Sequence, residues 1–303
     1  MKNHFVQKCL LAVAGLALSS TSFAAGLPKL AAHPQPDVNA ALRQQKQDFL
    51  KTLSPTPDAT TVCSFTFTSG ANNNSLEYCV TANGNVSEFQ TPIGHTLVSA
   101  EDRAEGYGIC DVTNGDPQGN GRVAYIDFAE FGDSGNWNPP VVLSHNGTTV
   151  KIARTTIDGI WTLTQTFTQE ASTASVKIGM TLKNNTAIQR EAFLVRYADV
   201  DADGFFQNNF DGTFSNAFGW NSISSEAASP VGLLLQNLGT LDPTQIGSEG
   251  FAQDTFLPPP ACNPGANFVP APLVGIDGSV VLIYDMHVPQ KKSLSVTLGY
   301  KGL

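Results

Sequence analysis

The stretch Ser175-Val176-Lys177-Ile178-Gly179-Met180-Thr181-Leu182 decides the fold. Val176, Ile178, Met180 and Leu182 alternate with residues that tolerate water, and a strict period of two belongs to a strand with one buried and one wet face. The same period recurs in Val280, Leu282, Tyr284 and Met286, and in Leu294, Val296, Leu298 and Tyr300. Upstream, Trp161, Leu163 and Phe167 share one face of the preceding run. Turn pairs separate such runs: Asn83-Gly84, Asn114-Gly115, Asn146-Gly147, Asp158-Gly159, Asn184-Asn185 and Asp277-Gly278. About a dozen short strands with wet faces predict an all-β chain, an antiparallel β-sandwich, and at this length an enlarged one.

Outward from this body the pattern changes. Residues 25–36 hold three prolines and read as an extended leader. Asp37 caps a predicted amphipathic helix that runs to about Leu53, with Val38, Leu42, Phe49 and Leu53 near helical spacing. Before it, Lys2 and Lys8 precede an apolar run from Cys9 to Leu18, and Ser22-Phe23-Ala24 has small-x-small form. These are the parts of a secretory signal peptide, and the run is too short to span a bilayer. The expected organisation is a signal peptide over 1–24, a leader with a short helix over 25–57 and a β-sandwich over 58–303. A secreted or periplasmic location follows, with no membrane span. Residues 222–275 carry few strand signals and read as a long loop.

The sequence holds 17 Lys and Arg against 26 Asp and Glu, a net charge of −9, and loss of Lys2 and Lys8 makes it 15 − 26 = −11. A surface this acidic repels phosphate backbones, so nucleic acid is excluded as a partner. Four cysteines follow the signal segment: Cys63, Cys79, Cys110 and Cys262. In an oxidising compartment an even count predicts two disulfides. Cys63 and Cys79 flank an Asn/Gly/Ser turn and suit a hairpin, which leaves Cys110 for Cys262. No Cys-x-x-Cys occurs to suggest zinc.

The sharpest chemical signal is Asp199-Val200-Asp201-Ala202-Asp203-Gly204. Alternate aspartates in a tight turn offer three hard oxygens to Ca2+, and the glycine allows the bend. The segment resembles the calcium loop of EF-hands, though not the whole domain. That resemblance implies a backbone ligand at Phe205 and a last ligand near Asp211, since Phe210 stands where a glutamate is usual. A strand, not a helix, leads into it. The expected role of the ion is structural.

Downstream, aromatics interleave with Asn, and Phe206, Asn208 and Trp220 are the candidate carbohydrate contacts, provided the rings face solvent. Tyr107, Cys110, Asp111, Tyr125, Asp127 and Trp137 are candidates to line a pocket near a Gly-rich loop. Gly132-Asp133-Ser134-Gly135 resembles the nucleophile tetrad of chymotrypsin-like proteases, but no histidine lies upstream in suitable surroundings. His95, His145 and His287 are scattered singly. The first expectation is therefore a non-catalytic binding or cell-surface protein with a calcium site and a carbohydrate or surface polymer as partner. The alternative is a carbohydrate-active enzyme, a lyase, epimerase or hydrolase. A cleft with two carboxylates, or a carboxylate and a histidine, and an aromatic wall favours the alternative.

Overall fold

The computed structural model describes residues 62–303 except 100–104, 116–119, 130–131, 171, 222–230, 256–257 and 265–271. The signal segment and the helix expected over 37–53 lie outside the described residues.

Among the described residues the chain forms strands in antiparallel pairs. In chain order they are β1 (Cys63–Ser69), β2 (Leu76–Thr81), β3 (Val86–Gln90), β4 (Thr96–Val98), β5 (Glu105–Asp111), β6 (Val123–Asp127), β7 (Val141–His145), β8 (Thr149–Thr155) and β9 (Trp161–Glu170). There follow β10 (Ser175–Asn184), β11 (Arg190–Asp199), β12 (Asn208–Thr213), β13 (Asn216–Asn221), β14 (Gly232–Asn237), β15 (Ile246–Gln253), β16 (Leu273–Ile276), β17 (Ser279–Val288) and β18 (Ser293–Gly302). They build a nine-stranded sheet in the order β16-β12-β13-β14-β18-β10-β9-β8-β7, a five-stranded sheet β15-β17-β11-β5-β6 and a four-stranded sheet β1-β2-β3-β4.

The alternation read from the sequence sets which faces meet. Val176, Ile178, Met180 and Leu182 of β10 and Val280, Leu282, Tyr284 and Met286 of β17 are fully buried, in one core that also takes Tyr78, Val80 and Phe89 from the small sheet. Each large apolar side chain so buried stabilises by about 1.5–3 kcal/mol, which fixes the register, because a slip of one residue would turn the whole set to water.

The region 222–275 departs from expectation. It contributes β14, β15 and β16 rather than one long loop. Gly247 and Gly250 weaken the local strand signal of β15. The strand forms because Ile246–Gln253 pairs along the whole length of β17.

Both expected disulfides are present, Cys63–Cys79 across β1 and β2 and Cys110–Cys262 with the Cα atoms 4.9 Å apart. The second ties residues 258–264 onto the outer face of the five-stranded sheet, where Cys110, Val112 and Ala261 form a small apolar cluster of their own.

Candidate functional site

Three polar clusters stand out, and they differ in what they can do. The first is the aspartate loop. β11 runs directly into it, and Asp199 and Asp201 are each 2% exposed. Their carboxylate oxygens and one of Asp277 lie within 4.8 Å of one another. Asp277 arrives from the turn before β17, and Val200 N donates to Gly278 O across the same junction at 3.3 Å. Gln253, fully buried, stands opposite Ser279, which in turn stands opposite Asp199. Such a set of hard oxygens suits Ca2+.

The carboxylates that meet are not the three consecutive alternate aspartates of the loop. Asp203 sits at φ 59°, which turns its side chain away to His95, whose Nδ1 is 3.0 Å from Oδ1. The Phe205 carbonyl accepts from Asn208 Nδ2 at 2.5 Å. Asp211 Oδ1 accepts from the backbone N–H of Gly212 at 2.8 Å. Asp203, Phe205 and Asp211 thus make these other contacts, and Asp277 is the carboxylate that stands beside Asp199 and Asp201. A local loop pattern cannot reveal a carboxylate delivered by a distant turn.

The second cluster is internal. Arg196 is fully buried; its Nε donates to Glu105 Oε1 at 2.5 Å and its Nη1 to Gln165 Oε1 at 2.7 Å. Tyr300 donates its hydroxyl to Glu105 Oε1 at 2.7 Å. Beside it, Arg154 bridges Asp127 at 2.5 Å and Asp133 at 2.8 Å. The β2–β3 turn plugs into this network: Asn83 Nδ2 donates to Asp127 at 2.8 Å, and Val86 N donates to Glu105 at 2.7 Å. Burial pushes the Asp127 carboxyl up to about 7 against the opposing pull of Arg154. Burial likewise raises Glu105, opposed by Arg196. All six of Tyr107, Cys110, Asp111, Tyr125, Asp127 and Trp137 are buried, five of them in this interior and Cys110 in the small disulfide cluster on the outer face. They form packing and anchoring contacts, so the pocket expected of them is a filled core. Ser134 shares its hydrogen bonds with Asn136 and the backbone of Ile126, and no histidine contacts it among the described residues.

The third cluster faces outward. In β11, Ala192 and Leu194 point into the core, so Glu191 and Phe193 point out; in β17, Tyr284 and Met286 point in, so Ile283, Asp285 and His287 point out. Register then sets Phe193 opposite Asp285 and Glu191 opposite His287, with Gly247 of β15 beyond Asp285. The disulfide-held segment 258–264 closes one side, and Arg122 Nη1 holds it by donating to the Cys262 carbonyl at 2.8 Å. The result is a cavity of about 490 Å3, with Phe193 and Ile283 as apolar wall and Arg122, Glu249, Asn263 and Asp285 as polar groups. That size and mix is typical of small-molecule sites. A Cβ at Gly247 would meet nothing nearer than Asp285 Cβ at 3.8 Å, so the space above this glycine is open.

Phe206, Asn208 and Trp220 are 3%, 0% and 9% exposed, so no stacking platform forms there. Phe218 and Trp220 stack on each other at 5.4 Å, and Asn208 ties down the carbonyl of Val200 at 2.7 Å. The cavity residues had only a weak signal in sequence. Glu191, Phe193, Asp285 and His287 occupy the wet phase of two alternating strands, but their meeting depends on cross-strand register.

No protein-family model matches the chain, and no curated protein matches it in sequence. Solved structures do match in fold. An aldose epimerase homologue from C. elegans is 9% identical, with a TM-score of 0.45 over 79% of this chain and 99% of its own. A galactose mutarotase-like protein from Lactobacillus casei is 10% identical, with a TM-score of 0.41 over 79% of this chain and 100% of its own. A bacterial glucoamylase complexed with acarbose is 11% identical, with a TM-score of 0.48 over 79% of this chain and 32% of its own. The chain is an antiparallel β-sandwich by its own sheets, and these solved structures are similar to it over 79% of its length.

Proposed function

We propose that the chain is an exported carbohydrate-active enzyme that takes its saccharide into the cavity on the outer face of the five-stranded sheet. The observation that carries this reading is the pair of carboxylates, Glu249 and Asp285, on the wall of one 490 Å3 cavity with the Phe193 ring, Arg122 and Asn263. Carboxylates accept from sugar hydroxyls, guanidinium and amide donate to them, and an aromatic ring covers C–H faces. Asp285 is fixed on a strand inside its sheet and suits hydroxyl binding. Glu249 is exposed on edge strand β15 and suits proton transfer. Lyase, epimerase and hydrolase chemistry all need such a transfer. The two disulfides support an oxidising, exported setting.

The test is turnover on a panel of oligosaccharides and free aldoses, followed by polarimetry and reducing-end assay. Glu249→Gln lowers kcat by roughly 10²–10⁴-fold while the melting temperature holds. Activity untouched by both Glu249→Gln and Asp285→Asn rules out this cavity as the active site.

A calcium ion is the second part of the reading. Asp199, Asp201 and Asp277 bring their oxygens within 4.8 Å in a largely buried setting, where a divalent ion relieves their mutual repulsion. Its role is to join the end of β11 to the start of β17.

A further inference from the structure

The cavity borders a cluster that shares only Asp285 with the saccharide reading. Glu191, Asp285 and His287 each offer one ligand atom, and these atoms lie within 4.8 Å of one another. Glu191 stands directly opposite His287 in the β11–β17 ladder, and Asp285 precedes His287 by two residues on the same face. His287 Nδ1 is 3.9 Å from Glu191 Oε2. That gap is too long for a hydrogen bond. It is close to the roughly 3.4 Å that separates two ligands of a tetrahedral ion bound at ~2.0–2.1 Å. Asp285 supplies the second observation. Its Oδ1 is shielded from solvent and accepts no hydrogen bond among the described residues. A carboxylate oxygen held this way on a rigid strand is short of a positive partner.

We infer that Glu191, Asp285 and His287 form a binding site for a divalent transition ion of the zinc class, at the rim of the cavity. The donor set decides the class: an imidazole favours Zn2+ or Co2+, whereas the all-oxygen aspartate cluster at the other end of β11 favours Ca2+. Three protein ligands are the number found in catalytic rather than structural zinc sites, where a further position stays open. Asp285 both lines the cavity and belongs to the triad, so an ion there borders the space in which a ligand would sit. The antiparallel ladder pre-positions all three side chains, and Glu191 and His287 can approach an ion beside Asp285 by rotamer adjustment, because both are more than 40% exposed. The inference stands whether or not the cavity takes a saccharide.

The experiment uses the full-length, disulfide-intact protein, stripped with chelator and titrated with Co2+ alone in excess Ca2+. The expected result is a saturable visible ligand-field band at one ion per chain, displaced by Zn2+. His287→Ala and Glu191→Ala weaken Co2+ binding by about 100-fold or more, beyond what loss of an outer partner does. His95→Ala and His145→Ala leave it unchanged. Both key side chains are more than 40% exposed, so these variants are expected to fold, which the melting temperature checks. No saturable band, or a band that survives His287→Ala and Glu191→Ala alike, overturns the site. Saccharide binding is measured on the same samples, so loss of the metal site and loss of the saccharide reading remain separate results.

Discussion

At the scale of single residues, the aspartates show how one backbone angle redirects chemistry. Asp199, Asp201 and Asp203 share one spacing, yet the left-handed φ of Asp203 sends it to His95 on the turn before β4, while Asp199 and Asp201 stay with Asp277. The two groups therefore separate under mutation. If the proposed ion binds there, calcium should raise the melting temperature and a chelator lower it, with the response abolished in Asp201→Ala and kept in Asp203→Ala. A Ca2+ response lost in Asp203→Ala and kept in Asp201→Ala would contradict the assignment of the ion to Asp199, Asp201 and Asp277. Gly84 makes a second residue-scale case. Its φ is +92°, and a Cβ there would come within 2.4 Å of Gln165 Nε2. Gly84→Ala should destabilise by about 1–3 kcal/mol in urea unfolding, from backbone strain and displacement of Gln165.

At the scale of elements, the β2–β3 turn acts as a plug that couples the small sheet to the sandwich. Asn83 and Val86 reach Asp127 and Glu105, the carboxylates paired with Arg154 and Arg196. Because burial lifts Asp127 to about 7 from its ordinary 3.8, the folded chain between those values holds a proton that the unfolded chain has released. The stabilisation from this group is therefore fully present below about pH 3.8 and is lost as pH rises through about 7. Unfolding free energies of wild type and Asp127→Asn, compared from about pH 5 to 8, should diverge, with the wild type losing stability relative to the variant as pH rises. A constant difference contradicts the assigned shift. This network was not legible in the sequence, since Glu105, Asp127, Arg154 and Arg196 lie on separate strands and look like ordinary wet-face charges. The strand phases were legible, because Val176 to Leu182 and Val280 to Met286 alternate without a break. The hairpin disulfide was legible for the same local reason. Strand β15 was not, because its pairing with β17, rather than its own glycine-rich composition, makes it a strand.

At the scale of the whole molecule, the inner faces of the sheets are spent on packing, and the open chemistry lies outside. Tyr107, Trp137 and Trp220, candidates for a binding surface on composition, are drawn into the core by the area they bury. The cavity forms instead where a proline-rich, disulfide-held segment stands off the outer face of the five-stranded sheet. Sequence reading pointed to Cys262 and its irregular surroundings but not to Asp285, Glu249 and Phe193 as the other wall. Closure of the cavity depends on the Cys110–Cys262 bond, so Cys110→Ala with Cys262→Ala should weaken ligand binding and also lower stability by about 2–5 kcal/mol.

Gly247→Leu isolates the cavity from stability. The glycine lines the cavity, and a Cβ there meets only Asp285 Cβ at 3.8 Å, so the new side chain fills ligand space without touching the backbone. Calorimetric titration of wild type and Gly247→Leu with the best saccharide of the panel is the most direct measurement. Binding should weaken by about 100-fold or more, equivalent to the loss of two or three hydrogen bonds, with the melting temperature unchanged. Equal affinity in the two proteins would contradict the cavity as the carbohydrate site.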